Sequence, residues 1–109
     1  MEGVIIVLPA LNPLQSFISF VEQLKKIDIE KIIIVNDGSE EKYESIFNEL
    51  REQQQCIVIN HKQNKGKGRA LKTGFDYILK HEKNIEGVLT VGRVDVVYDK
   101  INDVEFIYL

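Results

Sequence analysis

The sequence predicts an α/β domain built on a Rossmann-like parallel sheet with alternating helices, and two patterns point there. Four short runs, at residues 4–8, 31–35, 56–59 and 87–91, are rich in Val and Ile without strict alternation. Such runs suit strands covered on both faces. The segments between them carry apolar residues at helical spacing, so strand alternates with helix, and the connections are expected to be right-handed crossovers between parallel neighbours.

Each element follows from local chemistry. The first run leads into Pro9-Ala10-Leu11-Asn12-Pro13, a stiff segment, and then a helix with Phe17, Phe20, Val21 and Leu24 on one face. The second run ends in Asn36-Asp37-Gly38-Ser39, where Asp and Gly favour a tight turn and Ser39 is expected to cap the next helix. Residues 40–44 read as a solvated first turn whose carboxylates suit the helix dipole, and Ile46, Phe47 and Leu50 form the buried stripe. Cys56 opens the third run. As the one cysteine it excludes an internal disulfide, and it is expected to act as a small buried hydrophobe. A third helix carries Leu71, Phe75, Ile78 and Leu79, and Gly74, four residues after Ala70, is expected to let it lie close to a strand. Residues 94–97 and 104–109 have the composition of further strands.

At 109 residues and 44% hydrophobic, the chain is expected to form one domain, 1–109, with a core of its own. It shows no repeat, low-complexity tract or linker. A net charge of -3 argues against broad nucleic-acid binding, although a basic loop still suits a small anion. No run approaches the roughly 18 apolar residues that cross a bilayer, and the start lacks the basic and long apolar parts of a signal peptide. A cytoplasmic location is the expectation. The apolar end, Phe106-Ile107-Tyr108-Leu109, predicts that further protein covers it, as in a longer parent, or that copies self-associate there.

In an open parallel sheet, ligands bind outside the carboxyl ends of the strands. Residues 64–74, NKGKGRALKTG, first suggest a P-loop, since Gly66, Lys72 and Thr73 fall on three of its four fixed positions. Leu71 occupies the place of the second glycine, where the backbone must bend close to phosphate, and that excludes the assignment. Asn64, Gly66, Lys67 and Gly68 form either a solvated basic loop or a diphosphate holder that uses Lys67 and exposed amides beside a helix start. Asp37 is either a turn former or an acceptor for a ring N–H of a bound base. His61 reads as structural, since no cysteine or second histidine stands at metal-ligand spacing to it.

Taken together, VIIVLPALNP, IIIVNDGS and NKGKGRA followed by Gly74 resemble the inverting glycosyltransferases of family 2, in the dolichyl-phosphate-mannose synthase-like and polyprenyl-phosphate branch. The resemblance implies the GT-A nucleotide-diphospho-sugar transferase fold, of which this chain would be the amino-terminal portion. It also implies that Pro9 and Ala10 line a nucleotide pocket, that Asp37 with Gly38 meets the base, and that Asn64, Gly66, Lys67 and Gly68 lie on the diphosphate side. The implied partners are a UDP- or GDP-sugar donor and a polyprenyl phosphate or glycan acceptor. The implied cofactor is Mg2+ or Mn2+, held in the family by an Asp-x-Asp after the fourth strand.

The sequence departs from the family pattern in several places. Leu11 and Pro13 replace an aromatic residue and a glutamate, and Asn36 replaces the first aspartate of a pair. At the fourth strand Gly92-Arg93-Val94 stands where the acids belong, so Asp95 becomes a metal candidate only by a shift of register, and Arg93 is a candidate substitute charge. The family's general base lies later in its domain, so little transferase activity is expected of these residues alone, and the catalytic residues are left unassigned. The competing reading is a noncatalytic nucleotide-binding or interaction module that has lost its metal site. A receiver-like signalling domain fits poorly, because the first strand ends in Leu8-Pro9 and not in paired acids.

Overall fold

The computed structural model describes residues 3–94 and 101–108, with side chains described over residues 3–90. The chain runs β1 (Val4–Ala10), α1 (Ser16–Leu24), β2 (Lys31–Asp37), a 3-10 turn (Glu41–Tyr43), α2 (Glu44–Arg51), β3 (Cys56–His61), α3 (Lys67–His81), β4 (Gly87–Val94) and β5 (Ile101–Tyr108). The sheet order is β3-β2-β1-β4-β5. The first four strands are mutually parallel, and β5 pairs antiparallel with β4. This is the α/β, Rossmann-like architecture expected from the alternating runs.

The absence of alternation in the strands has a direct cause: both faces are covered. Ile6, Leu8, Ala10, Ile32, Ile34 and Cys56 pack against α1 and α2, while Ile5, Val7, Ile33 and Val35 pack against α3. Cys56 is buried among these apolar side chains, as expected of it. On α3 the buried line is Ala70, Gly74 and Ile78, with Leu71 and Phe75 half-buried. Leu79 departs from expectation, since at 71% exposure it lies off the packed face. The shift has a physical reason at Gly74. A Cβ built there would sit 2.5 Å from Val7 Cγ1, so the helix axis approaches β1 along the small residues and turns Leu79 outward. The far end of α3 is tied to the start of β2 by Lys31 Nζ donating to Glu82 Oε2 at 2.8 Å.

The strands run further than the apolar runs. Register pairs Ala10 with Asn36, Asn36 with Asn60, and Asp37 with His61, so polar residues expected in loops are the last residues of strands. Pro9 is tolerated in a central strand for a reason visible in the ladder. The Val4 carbonyl accepts from the Glu30 N–H on the β2 side, and the Gly3 carbonyl accepts from Glu86 and Gly87 on the β4 side. By alternation Pro9 faces β4, where pairing has already ended at Val7 and Thr90, so the missing N–H leaves no gap in the ladder. β4 continues to Val94 and pairs with β5, whereas residues 95–97 of the run expected at 94–97 lie outside the described residues.

The topology also places the crevice. From β1 the chain steps outward through β2 to β3, then returns to set β4 on the other side of β1. The carboxyl ends of β1 and β4 therefore flank the point where strand order reverses, the usual position of a ligand in an open α/β sheet.

Candidate functional site at the carboxyl edge of the sheet

Asp37 closes β2 and is buried, at 4% exposure. Its carboxylate is the centre of a tight set of bonds. Oδ1 accepts from the Lys65 N–H at 2.9 Å and lies 2.8 Å from His61 Nδ1; Oδ2 accepts from the Gly66 N–H at 2.9 Å. Burial alone would raise its pKa, but the bonds from His61, Lys65 and Gly66, together with attraction to His61, outweigh burial and hold the carboxyl below the usual carboxylate range. Asp37 is thus an ionised anchor that draws the loop after β3 onto the end of β2. Three of about four lone-pair positions are used within the protein.

Gly38 makes that closure sterically possible. Its φ is +78°, and a Cβ there would overlap the backbone of Gln63 and Asn64. Glycine removes both the left-handed penalty and the collision. Asn64 Oδ1 accepts from the Gly66 N–H at 2.9 Å, and Gly66, at φ +95°, turns the chain into α3. Lys67 and Gly68 are therefore the first residues of α3, beyond the loop in which they were expected. The first bond of the helical ladder runs from the Ala70 N–H to the Gly66 carbonyl, and Gly66 offers no side-chain cap. Amides ahead of that bond, with exposed Lys62, Lys65, Lys67 and Arg69 around them, give the helix start a positive character.

Pro9 is half-buried and Ala10 buried, side by side at the end of β1. The loop after them is fastened to the neighbouring one. The Asn12 N–H donates to Ser39 Oγ at 2.8 Å, and Asn12 Oδ1 accepts from the Glu40 N–H at 2.9 Å, with Asn12 itself at φ +47°. Ser39 consequently does not cap a helix. The caps of the 3-10 turn and of α2 are Glu40 and Tyr43, neither with a side-chain bond, and Ser39 bridges two loops instead. Asn36 is buried and turned inward, its Nδ2 donating to Asn60 Oδ1 at 3.0 Å and its Oδ1 accepting from the Ser39 N–H at 3.0 Å.

The sites read from sequence thus fall into two groups. Asp37, Gly38, Asn64 and Gly66 are brought into direct contact, and Lys67 and Gly68 follow them at once in the chain. Pro9 and Ala10 lie two strands from His61, joined to the rest through Asn12 and Ser39. His61 was read as structural and is bonded on both ring nitrogens, Nε2 lying 2.8 Å from Thr73 Oγ1. Thr73, Asn60 and the bridging role of Ser39 escaped sequence reasoning. Thr73 had a possible signal in its position 12 residues from His61, but nothing local marks it as a partner. At the end of β4, Gly92, Arg93 and Val94 supply no carboxylate, so the described residues there do not fit a divalent cation; Asp95 lies outside the described residues. Among the described residues no group of three His, Cys, Asp or Glu side chains is placed to hold a metal ion.

Comparison with known proteins agrees with this architecture. Residues 5–80 match the profile described as Glycosyl transferase family 2. An uncharacterized protein of Methanocaldococcus jannaschii is 32% identical over 84 residues, which cover 77% of this chain and 33% of the relative. The chain thus spans about a third of the length of the curated relative it matches.

Proposed function

The chain belongs to glycosyl transferase family 2, and from that premise we propose that its carboxyl edge holds the nucleoside diphosphate part of a UDP- or GDP-sugar donor. The observation that carries the reading is the closure of three motif-bearing segments into one unit by Asp37 and Asn12. Pro9 and Ala10 form a wall for the nucleotide. Asp37, through its remaining lone pair, accepts a ring N–H of uracil or guanine, with Gly38 beside it. Asn64, Gly66, Lys67 and Gly68 face the diphosphate, where helix-start amides and a lysine offset negative charge.

In the parent protein the reaction is transfer with inversion. The attacking group at the anomeric carbon is an acceptor hydroxyl, whose proton passes to a general base that we place outside residues 1–109, or an already ionised phosphate oxygen, which has no proton to give up. In either case the bond to the nucleoside diphosphate breaks. The acceptor in this reading is a polyprenyl phosphate or a glycan. Family members generally use a divalent metal to offset charge on the leaving diphosphate. The residues at the end of β4 do not fit that ion, so no step is assigned to it here. Among the described residues no helix is long and apolar enough to cross a membrane. We also place 1–109 as one domain of the longer protein, with the β5 edge as a surface for self-pairing.

One observation favours a second reading. Gly92-Arg93-Val94 in place of acids suits a noncatalytic module that keeps nucleotide binding. Calorimetric titration of UDP, GDP and their sugars, with and without Mn2+, separates the two. Binding that tightens with Mn2+ supports a transferase site whose metal ligands lie outside Gly92-Arg93-Val94, binding indifferent to Mn2+ supports the module, and no binding at millimolar ligand removes both.

A further inference from the structure

We propose that His61 is a proton-linked positioning residue: when it takes up a proton, the chain of hydrogen bonds from Asp37 to α3 becomes complete and residues 62–66 are held more firmly for an anion. The ligand in this inference rests on the reading above; the protonation linkage does not.

Hydrogen accounting carries the case. The Asp37 carboxylate can only accept, so His61 Nδ1, 2.8 Å away, must carry a hydrogen. On the other side, Thr73 Oγ1 lies 2.8 Å from His61 Nε2 and 3.0 Å from the Arg69 carbonyl oxygen. Thr73 owns a single hydroxyl hydrogen. With a neutral imidazole, that hydrogen serves either Nε2 or the Arg69 carbonyl, and one of the two contacts goes without a hydrogen. With an imidazolium, the Nε2–H donates to Thr73 Oγ1, whose own hydrogen turns to the Arg69 carbonyl. One proton therefore adds a bond and joins the end of β2, the end of β3 and the first turn of α3 in a continuous line.

The surroundings make the proton consequential. The His61 and Asp37 side chains are 8% and 6% exposed, so their pairing is little screened. Histidine ordinarily changes charge between about pH 5 and 8. Among the described residues, Asp37 from β2 is the titratable group bonded to the ring, and Thr73 is its partner from α3. The charges nearest along the chain are Lys62 and Lys65 of the loop, and Arg69 and Lys72 of α3; Asp76 of α3 pairs with Lys72 at 3.6 Å. Protonation thus adds a positive charge behind a loop that is already basic, and charged hydrogen bonds are roughly twice as strong as neutral ones. Both effects favour anion binding on the acid side.

The test uses the whole chain with UDP and GDP between pH 8 and 5.5. The ligand's terminal phosphate gains a proton over the same interval, which weakens binding in every variant, so the comparison is between variants. Relative to Thr73→Val, the wild-type affinity is expected to rise by about tenfold from pH 8 to 5.5, a size set by one charged bond. His61→Asn, which removes the charge as well as the bond, should gain less on the acid side than Thr73→Val does, and Thr73→Ser should restore the wild-type profile. A ligand-free arm follows the Lys65, Gly66 and Arg69 amide resonances, expected to shift with the midpoint of the His61 ring resonances. Identical pH profiles for wild type and Thr73→Val, or amides that ignore the ring titration, overturn the proposal. Should neither nucleotide bind the wild type, the ligand reading fails and the amide arm alone decides the linkage.

Discussion

Replacing Gly74 with alanine tests whether the approach of α3 to the sheet is set by the absent side chain. The new Cβ would stand 2.5 Å from Val7 Cγ1 and 3.2 Å from Val7 Cγ2. Carbon atoms rest at about 3.5–4.0 Å, so roughly 1 Å of movement is required. Val7 is fully buried, β-branched and set in a strand flanked by β2 and β4, so it has no easy rotamer or backbone escape. Overpacking of this kind costs about 1–3 kcal/mol, and the gain in helix propensity returns about 1 kcal/mol. A net loss of about 1 kcal/mol follows, a fall of roughly 1 M in the urea midpoint for a chain this small. Urea denaturation followed by far-UV circular dichroism measures it. Val7→Ala removes both colliding methyl groups, so the double variant should lose less than the sum of the single losses, by about 2 kcal/mol, the whole of the overpacking cost. Stability of Gly74→Ala at or above wild type, or strict additivity with Val7→Ala, would refute the close-approach account.

Two further perturbations probe the carboxyl edge. Gly38→Ala forces a side chain into the left-handed region and against the backbone of Gln63 and Asn64; a loss of about 2 kcal/mol or more is expected, with faster proteolysis within residues 62–66 as the local readout. Native-like proteolysis of that loop would count against the packing role of Gly38. Asp37→Asn tests the ionised anchor by its pH dependence. The folded pKa is lowered, so the carboxylate's stabilisation is present above its unfolded value of about 3.9 and is lost as pH falls through the folded value. The stability gap between wild type and variant should therefore be full at pH 7 and shrink towards pH 3, and a gap that stays constant across that range would show that the charge is not what matters.

Much of the fold was legible because burial on both faces leaves a strong imprint. An uninterrupted apolar run such as Ile32-Ile33-Ile34-Val35 has few other uses. Strand ends were not legible, because Asn36, Asp37 and His61 continue the ladder while their side chains serve one another. Local propensity marks such residues as turn formers, and only the partner strand reveals that they are paired. The same holds for Ser39, whose position before a charged segment reads as a cap until Asn12, 27 residues away, claims its hydroxyl. Leu79 was misplaced because its spacing alone fits the apolar stripe, whereas the helix rolls onto Ala70 and Gly74, the residues small enough to admit Val7.

The long-range character of these contacts bears on how the site would bind. Asn12 fastens the first loop to the second, and Asp37 fastens the second to the third, each through bonds that belong to the protein itself. The entropy of ordering these loops is therefore met during folding and is not charged against binding, where immobilising loops and side chains otherwise lowers affinity. This predicts an asymmetry between two kinds of change. Loss of Lys67, which we propose faces the diphosphate, should weaken ligands in proportion to their phosphate charge. Loss of a fastener such as Ser39, which we place in contact with no ligand, should weaken UDP and GDP alike, because it returns the ordering cost to the binding step.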